Sequence, residues 1–282
     1  MTNETQDAEL VVQASNISMA AVNSLLQQPE VKREEEKPVV DDAVEKATKK
    51  GINPYKSRFH DAIWFDRLSK EFVSVLGCGG IGSFVIFGLS RIGCPMVIYD
   101  MDMIETHNLG GQLFGTVDIG AYKTAAIADQ CLKLSGHSQI YTFGEFTERD
   151  GCTDVMIAAF DNMKARKLAF KKWKQHVEDK KSRKEFCIFI DGRLMAEDYQ
   201  VYAVTYDRCD EYEKTLFDDS EIEELPCTLK STTHCSMGIA SDIISVLTNF
   251  MTNLSLGENI REVPFRICKS IQAYTYELTL NV

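Results

Sequence analysis

Residues 71–92, EFVSVLGCGGIGSFVIFGLSRI, constrain the fold of this chain more than any other stretch. An apolar run of strand length, 71–76, meets a cluster of glycines and then apolar residues at helical spacing over 81–92. Residues 77–82 read GCGGIG, which fits G-x-G-x-x-G with Gly77, Gly79 and Gly82. Glycine lets backbone approach a phosphate closely, and the helix that follows presents free N–H groups and the positive end of its dipole. A strand–glycine–helix unit of this kind belongs in a parallel sheet. The motif alone does not choose among NAD, FAD and ATP, nor exclude a glycine turn used only for packing.

The remaining pattern extends that unit. Residues 95–99 read as a second strand ending at Asp100, 121–134 as a helix, and 154–160 as a third strand followed by Asp161 and Asn162. A basic helix is expected over 164–181, strands over 186–190 and 200–206, a long apolar helix over 239–256, and an alternating antiparallel strand over 272–280. Strands alternating with helices imply right-handed crossovers. The expected fold is α/β: a Rossmann-like, doubly wound, mainly parallel sheet with antiparallel strands added in the C-terminal half.

Composition bounds the rest. With 282 residues, 44% hydrophobic and 26% charged, the chain is ordinary globular protein, which excludes bulk disorder and collagen-like classes. No apolar run approaches the ~20 residues that span a bilayer, and MTNETQDAEL is neither a signal nor a transit peptide. Residues 10–26 suit a short amphipathic helix, and 30–50 are charge-dense with no aromatic residue. Residues 1–50 therefore read as a linker or solvated arm and 51–282 as one domain. A net charge of −11 argues against a sequence-blind grip on nucleic acid. The basic run over 164–184, which includes Trp173, suits either an acidic partner surface, nucleic acid or plain solvation. Nine cysteines with no C-x-x-C pair read as reduced thiols in the cytoplasm. The five histidines show no ligand spacing.

Asp100 lies 18 positions after Gly82, where an acidic residue ordinarily holds a ribose hydroxyl. Residues 100–112 read DMDMIETHNLGGQ, with Gly120 and Lys123 shortly after and D-N-x-x-x-R at Asp161, Asn162 and Arg166. Here the chain resembles the ThiF/MoeB/HesA family, the adenylating enzymes related to ubiquitin-activating enzymes. That family's pattern is GxGGxG, D-x-D, N-L-x-R-Q, a Lys within G-x-x-K, and D-N-x-x-x-R. The matching residues are Gly77, Gly79, Gly80 and Gly82; Asp100 and Asp102; Asn108, Leu109 and Gln112; Gly120 and Lys123; and Asp161, Asn162 and Arg166. The matches run in order across roughly 90 residues, whereas short motifs taken singly carry a high false-positive risk.

The resemblance implies that ATP and Mg²⁺ bind here. Asp100 would hold ribose, Lys123 a phosphate, and Asp161 the metal through oxygen. Asn108 would fix the phosphate loop or the attacked phosphate. Each has a plainer alternative: a strand-end turn for Asp100, a solvated helix lysine for Lys123, a helix cap for Asp161 and a turn for Asn108. The implied reaction is attack by a carboxylate on the α-phosphate of MgATP, that carboxylate being the C-terminal end of a ubiquitin-like or sulfur-carrier protein. The resemblance also implies a homodimer and a crossover loop at about 207–235. Cys227 in that loop is the candidate acceptor for a thioester, with Cys235 behind it; Cys78 reads as incidental to the glycine turn. One position departs from the family: the Arg of N-L-x-R-Q is Gly111. Arg58, in YKSRF, is the candidate replacement, reaching from the same or another subunit, and Arg91 reads as structural. A catalytically inactive nucleotide-binding scaffold and a nicotinamide or flavin oxidoreductase remain alternatives.

Overall fold

Strands form wherever a short β-branched run can be buried on both faces. Val73–Leu76 (β1) and Val155–Ala158 (β4) are buried along their whole length, and Met96–Tyr99 (β2) nearly so. In the computed structural model the described residues are 55–59, 61–180, 183–218 and 232–280, all within the unit Asn53–Val282. The expected arm over 1–50 lies outside them. They carry one eight-stranded sheet in the order β3-β2-β1-β4-β5-β6-β7-β8. The other strands are β3 (Ile140–Phe143), β5 (Ile188–Met195), β6 (Asp198–Val204), β7 (Arg266–Ser270) and β8 (Thr275–Thr279). Pairing is parallel from β3 through β5 and antiparallel from β5 through β8. The doubly wound sheet with antiparallel strands toward the C-terminus is therefore as expected.

Two strands escape the sequence reading. β3 is the edge beside β2, so the strand over 155–158 is fourth in the chain rather than third. β7 precedes the expected C-terminal strand and pairs with it. β5 also continues past Asp191 to Met195, because beyond β4 it pairs with β6 through Met195↔Asp198.

Helices α1 (Lys56–Phe59) and α2 (Phe65–Leu68) precede the sheet. They are followed by α3 (Gly80–Ile92), α4 (Lys123–Ser135), α5 (Met163–Asp179), α6 (Cys209–Glu213) and α7 (Thr233–Leu256). Alternate residues of the strands feed two cores. Val155 and Ile157 join Val85, Leu89, Ile127 and Ile243 on one face. Met156 and Ala158 join Phe170, Trp173, Phe189 and Tyr212 on the other. That alternation makes the parallel strands read as continuous apolar runs. The crossover segment expected at 207–235 opens with α6, and Thr233–Cys235 already belong to α7. Cys227 lies outside the described residues.

β1 has β2 on one side and β4 on the other, so the chain reverses its direction of travel across the sheet between β1 and β4. Ligands of open α/β sheets bind in the crevice at the carboxyl ends of strands at such a switch point. The glycine turn leaves β1 there and Asp161 follows β4.

Candidate functional site

The glycines divide their work. Gly77 has φ +96, and a Cβ there would sit 2.6 Å from the Ala159 carbonyl oxygen. Gly82 packs α3 against the turn, since its Cβ would lie 1.8 Å from the Gly77 oxygen. Gly79, the N-cap of α3, faces open space: the nearest atom to a Cβ there is Gln112 Nε2 at 3.9 Å. The outer two glycines thus let backbone pass backbone, and the middle one leaves room for a ligand at the helix N-terminus. The Gln112 Oε1 beside it is buried with no hydrogen-bond partner among the described residues. A buried, unpaired acceptor is costly unless a ligand or water supplies the donor. The open glycine turn fits a nucleotide phosphate, whereas the donor to Gln112 Oε1 has to be a water or a ligand hydroxyl, because phosphate oxygens only accept.

Asp100, at the end of β2, is held at the mouth of the turn. Its Oδ2 accepts the Cys78 N–H at 2.7 Å and its Oδ1 accepts the Asp102 N–H at 2.8 Å. Burial raises its carboxyl above the usual range, against the pull of those two bonds and of Lys123. Each oxygen keeps a lone pair, so the group can still accept from a ribose hydroxyl. The plainer strand-end role and the binding role use different lone pairs.

Lys123 is the first residue of α4 and is buried, with its Nζ 2.7 Å from Asp102 Oδ2. A solvated helix lysine is therefore the wrong description. Asp102 is more than half exposed, so a phosphate could compete with it for the ammonium. Asn108 is buried too, and its Oδ1 accepts the Glu105 N–H at 2.8 Å, which holds the turn that precedes Gln112. Two residues the sequence did not flag fix this loop from outside: Ser83 Oγ accepts the Leu113 N–H at 3.1 Å, and Thr233 Oγ1 donates to the Gly110 carbonyl. Only their places early in two helices facing the loop could have signalled them.

Across the crevice, Asn162 caps α5 by accepting the Ala165 N–H at 2.8 Å. Asp161 is thus spared that duty; it is exposed and accepts a 3.3 Å bond from Asn162 Nδ2. The cap alternative for Asp161 is overturned. Among the described residues no three His, Cys, Asp or Glu side chains cluster as a metal cage. Mg²⁺ ordinarily takes one or two carboxylates together with substrate phosphates, a role Asp161 fits.

Beneath Asp161 lies a network that no motif signalled beyond its first member. Arg166 donates through Nε to Asp191 Oδ1 at 2.5 Å and through Nη2 to the Phe160 carbonyl at 2.7 Å. Asp191 Oδ2 also accepts from Arg193 Nε at 2.7 Å and Tyr212 Oη at 2.9 Å. In the sequence Asp191 shows only as the residue after the strand read over 186–190.

The structure does not bring Arg58 to this site within its own chain. Tyr55, three residues before it, packs on Gly93 and donates to the Ser135 carbonyl at 2.5 Å, at the far ends of α3 and α4. The 13 residues of α3 put that point about 20 Å from the glycine turn. Arg58 itself is exposed. Arg91 donates to the Leu134 carbonyl at 2.6 Å and is structural. Cys78 and Cys235 are fully buried, and burial pushes the Cys235 thiol up to about 11 and Cys78 well above its usual range. Neither is poised as a thiolate.

The basic helix is answered from within the molecule. Lys167 pairs with Asp218, Lys171 with Glu148, Lys174 with Glu213 and Asp210, and Lys180 and His176 with Asp154. Trp173 is buried in the core and donates to the Asp154 carbonyl at 3.1 Å.

The comparisons with known proteins agree with this geometry. Ubiquitin-like modifier-activating enzyme 5 of Caenorhabditis elegans is 27% identical over 120 residues, covering 36% of this chain and 29% of that protein. The tRNA threonylcarbamoyladenosine dehydratase of Haemophilus influenzae is 29% identical over 111 residues, covering 36% of this chain and 42% of its own length. The chain thus spans less than half the length of these curated relatives. Among solved structures, E. coli MccB with ATP superposes with a TM-score of 0.57 at 17% identity, covering 81% of this chain and 71% of MccB. MccB in complex with N-formylated MccA gives 0.56 at 17% identity, covering 81% and 72%. These likenesses are of fold. A family model matches residues 57–261, from before the glycine turn to beyond α7, and by that match the chain belongs to the ThiF family.

Proposed function

We propose that this chain is an ATP-dependent adenylyltransferase that activates the C-terminal carboxylate of a ubiquitin-like protein, sulfur-carrier protein or peptide as an acyl-adenylate. The observation that carries this reading is the contact between the two loops of the crevice. Gly77 meets the Ala159 carbonyl, so the glycine turn and Asp161, two residues beyond Ala159, lie within one nucleotide's reach. Family membership and the ATP named with E. coli MccB support the same ligand.

In the reaction, a carboxylate oxygen of the partner's chain end bonds to the α-phosphorus of ATP. The α–β phosphoanhydride bond breaks, and pyrophosphate leaves with the electron pair. The protein's part is placement and charge. Asp100 would hold the ribose, the N-terminus of α3 a phosphate, and Lys123 would leave Asp102 to meet charge on the phosphates. Mg²⁺ at Asp161 would neutralise phosphate oxygens as the bond breaks. Gly111 supplies no cation, and Arg58 of a second subunit in a homodimer would stand in for it. Any later transfer to sulfur falls to Cys227.

The test is ATP–pyrophosphate exchange with candidate carrier tails. Exchange that disappears in Asp161→Ala, together with Mg²⁺-dependent ATP binding, is the expected result. Full exchange in that variant removes the metal assignment. Gly111 favours a second reading, a scaffold that binds nucleotide without turnover; ATP binding with no exchange across carriers would select it. A bound flavin or nicotinamide in the purified protein would select an oxidoreductase instead.

A further inference from the structure

We infer that Asp191 is a positioning residue for the metal loop, and that it links that loop to the first part of the crossover segment. The inference rests on the reading of Asp161 as the metal ligand.

Asp191 is fully buried, as is Arg166 apart from a few per cent of its surface. A buried charge needs partners for each lone pair it presents. Asp191 has three: Arg166 Nε, Arg193 Nε and the Tyr212 hydroxyl, at 2.5, 2.7 and 2.9 Å. Burial and the neighbouring carboxylate hold the Tyr212 phenol well above its usual range, so it remains a donor.

Both arginines also reach backbone elsewhere. The Arg166 guanidinium also donates to the carbonyls of Phe160, at 2.7 Å, and Gly192, at 3.2 Å. Phe160 immediately precedes Asp161, so the orientation of that peptide sets where the Asp161 carboxylate points. The Arg193 guanidinium donates to the Thr215 carbonyl at 3.0 Å and its hydroxyl at 2.9 Å, and lies over the Tyr202 ring at 4.4 Å. Thr215 follows α6 at the start of the crossover segment. One carboxylate therefore anchors two stretches of chain, 160–161 and 212–215, that no strand pairing joins. Without it the two guanidiniums would repel each other, and the Phe160 peptide would lose its fixed donor.

The test uses the full chain with Asp191→Asn and Tyr212→Phe, the latter keeping the ring and removing one donor. ATP affinity is measured by calorimetry with chelator and then across a Mg²⁺ titration. Asp191→Asn should bind metal-free ATP as the parent does and raise the Mg²⁺ midpoint about tenfold, the low end for residues that orient a ligand from behind. Tyr212→Phe should raise it about threefold by the same logic. An unchanged midpoint in a folded Asp191→Asn overturns the inference, and if that variant does not fold, an unchanged midpoint in Tyr212→Phe does so. Hydrogen exchange reads the link without any metal. The amides of Ala165, Thr215 and Leu216, hydrogen-bonded to Asn162, Tyr212 and Glu213, should lose protection together by roughly tenfold, while those of β1 hold. Exchange unchanged in either stretch overturns the inference. Asp161→Ala in the same titration separates the two readings: if its Mg²⁺ midpoint is unchanged, the metal assignment fails, and the exchange result alone decides the role of Asp191.

Discussion

Gly79 and Gly82 are glycine for different reasons, and substitution separates them. A Cβ on Gly82 would lie 1.8 Å from a backbone oxygen that cannot move without breaking the turn. Gly82→Ala should cost about 3 kcal/mol or more, the upper range for overpacking, visible as a fall in Tm. A Cβ on Gly79 has room, so Gly79→Ala should melt close to the parent while ATP affinity falls about tenfold, because the methyl stands where a phosphate would approach the helix N-terminus. Equal losses of Tm in both would contradict this division. Asp100 makes a pH prediction. Burial raises its pKa, so it takes up a proton at a higher pH than an exposed carboxylate would. If the ionised form is the acceptor for ribose, ATP affinity should weaken on the acid side starting above the usual carboxylate range, and Asp100→Asn should flatten that limb. A limb of the same position in Asp100→Asn would assign it to another group. At this scale the spacing of glycines and acids was readable because local chemistry dictates it. The burial of Lys123 against Asp102, and the service of Asn162 rather than Asp161 as the cap, depend on how α4 and α5 approach the sheet.

The buried parallel strands were legible as apolar runs, whereas β8, exposed along its whole length, was legible by its alternation. β1, β2 and β4 lie in the middle of the sheet and read as apolar runs. β3, IYTF, is an edge strand with no fully buried residue, and β7, RICKS, mixes Arg and Lys with a single buried Ile267. Neither carries the density of apolar residues by which a strand is recognised. The early start of α7 was missed because THCSMG lacks an apolar stripe. Its first turns are held by packing instead: Cys235 and Ser236 are buried, and Gly238 lets Tyr199 approach to within contact distance. The basic helix shows the same limit in reverse. Its charge run is visible in the sequence, but the acids that answer it come from α6 and from loops elsewhere in the chain. Lys171 pairs with Glu148 at 3.6 Å and both are largely exposed. Lys171→Ala should change stability by no more than about 0.5 kcal/mol, as exposed pairs do, and leave exchange activity intact. Trp173→Ala, in the same helix but facing the core, should cost about 3–5 kcal/mol. Chemical denaturation checks both, and a large stability loss at Lys171 would mean the paired face is more than solvation.

At the scale of the whole molecule the question is where the missing cation comes from. Gly111 stands at the position of the family arginine, and within one chain Arg58 belongs to the opposite end of α3, a helix length from the glycine turn. An exposed arginine so placed can reach a nucleotide only across an interface with a second copy. That arrangement predicts complementation between two dead variants. Arg58→Ala keeps its own Asp161 but deprives the partner's site, and Asp161→Ala keeps its Arg58 but spoils its own. Each alone should lose exchange activity. In a twofold dimer formed by random reassociation of equal amounts, half the dimers are mixed and each holds one intact site, so activity should return to about a quarter of the parent value. The chemistry requires a positive charge at developing phosphate charge, a contribution ordinarily worth powers of ten in rate, so a small recovery would be easy to resolve. Recovery near a quarter would place Arg58 of one subunit in the site of the other. No recovery, with dimers shown by sedimentation, would strike Arg58 from the site and leave Lys123 as the cation that the described residues offer to the phosphates.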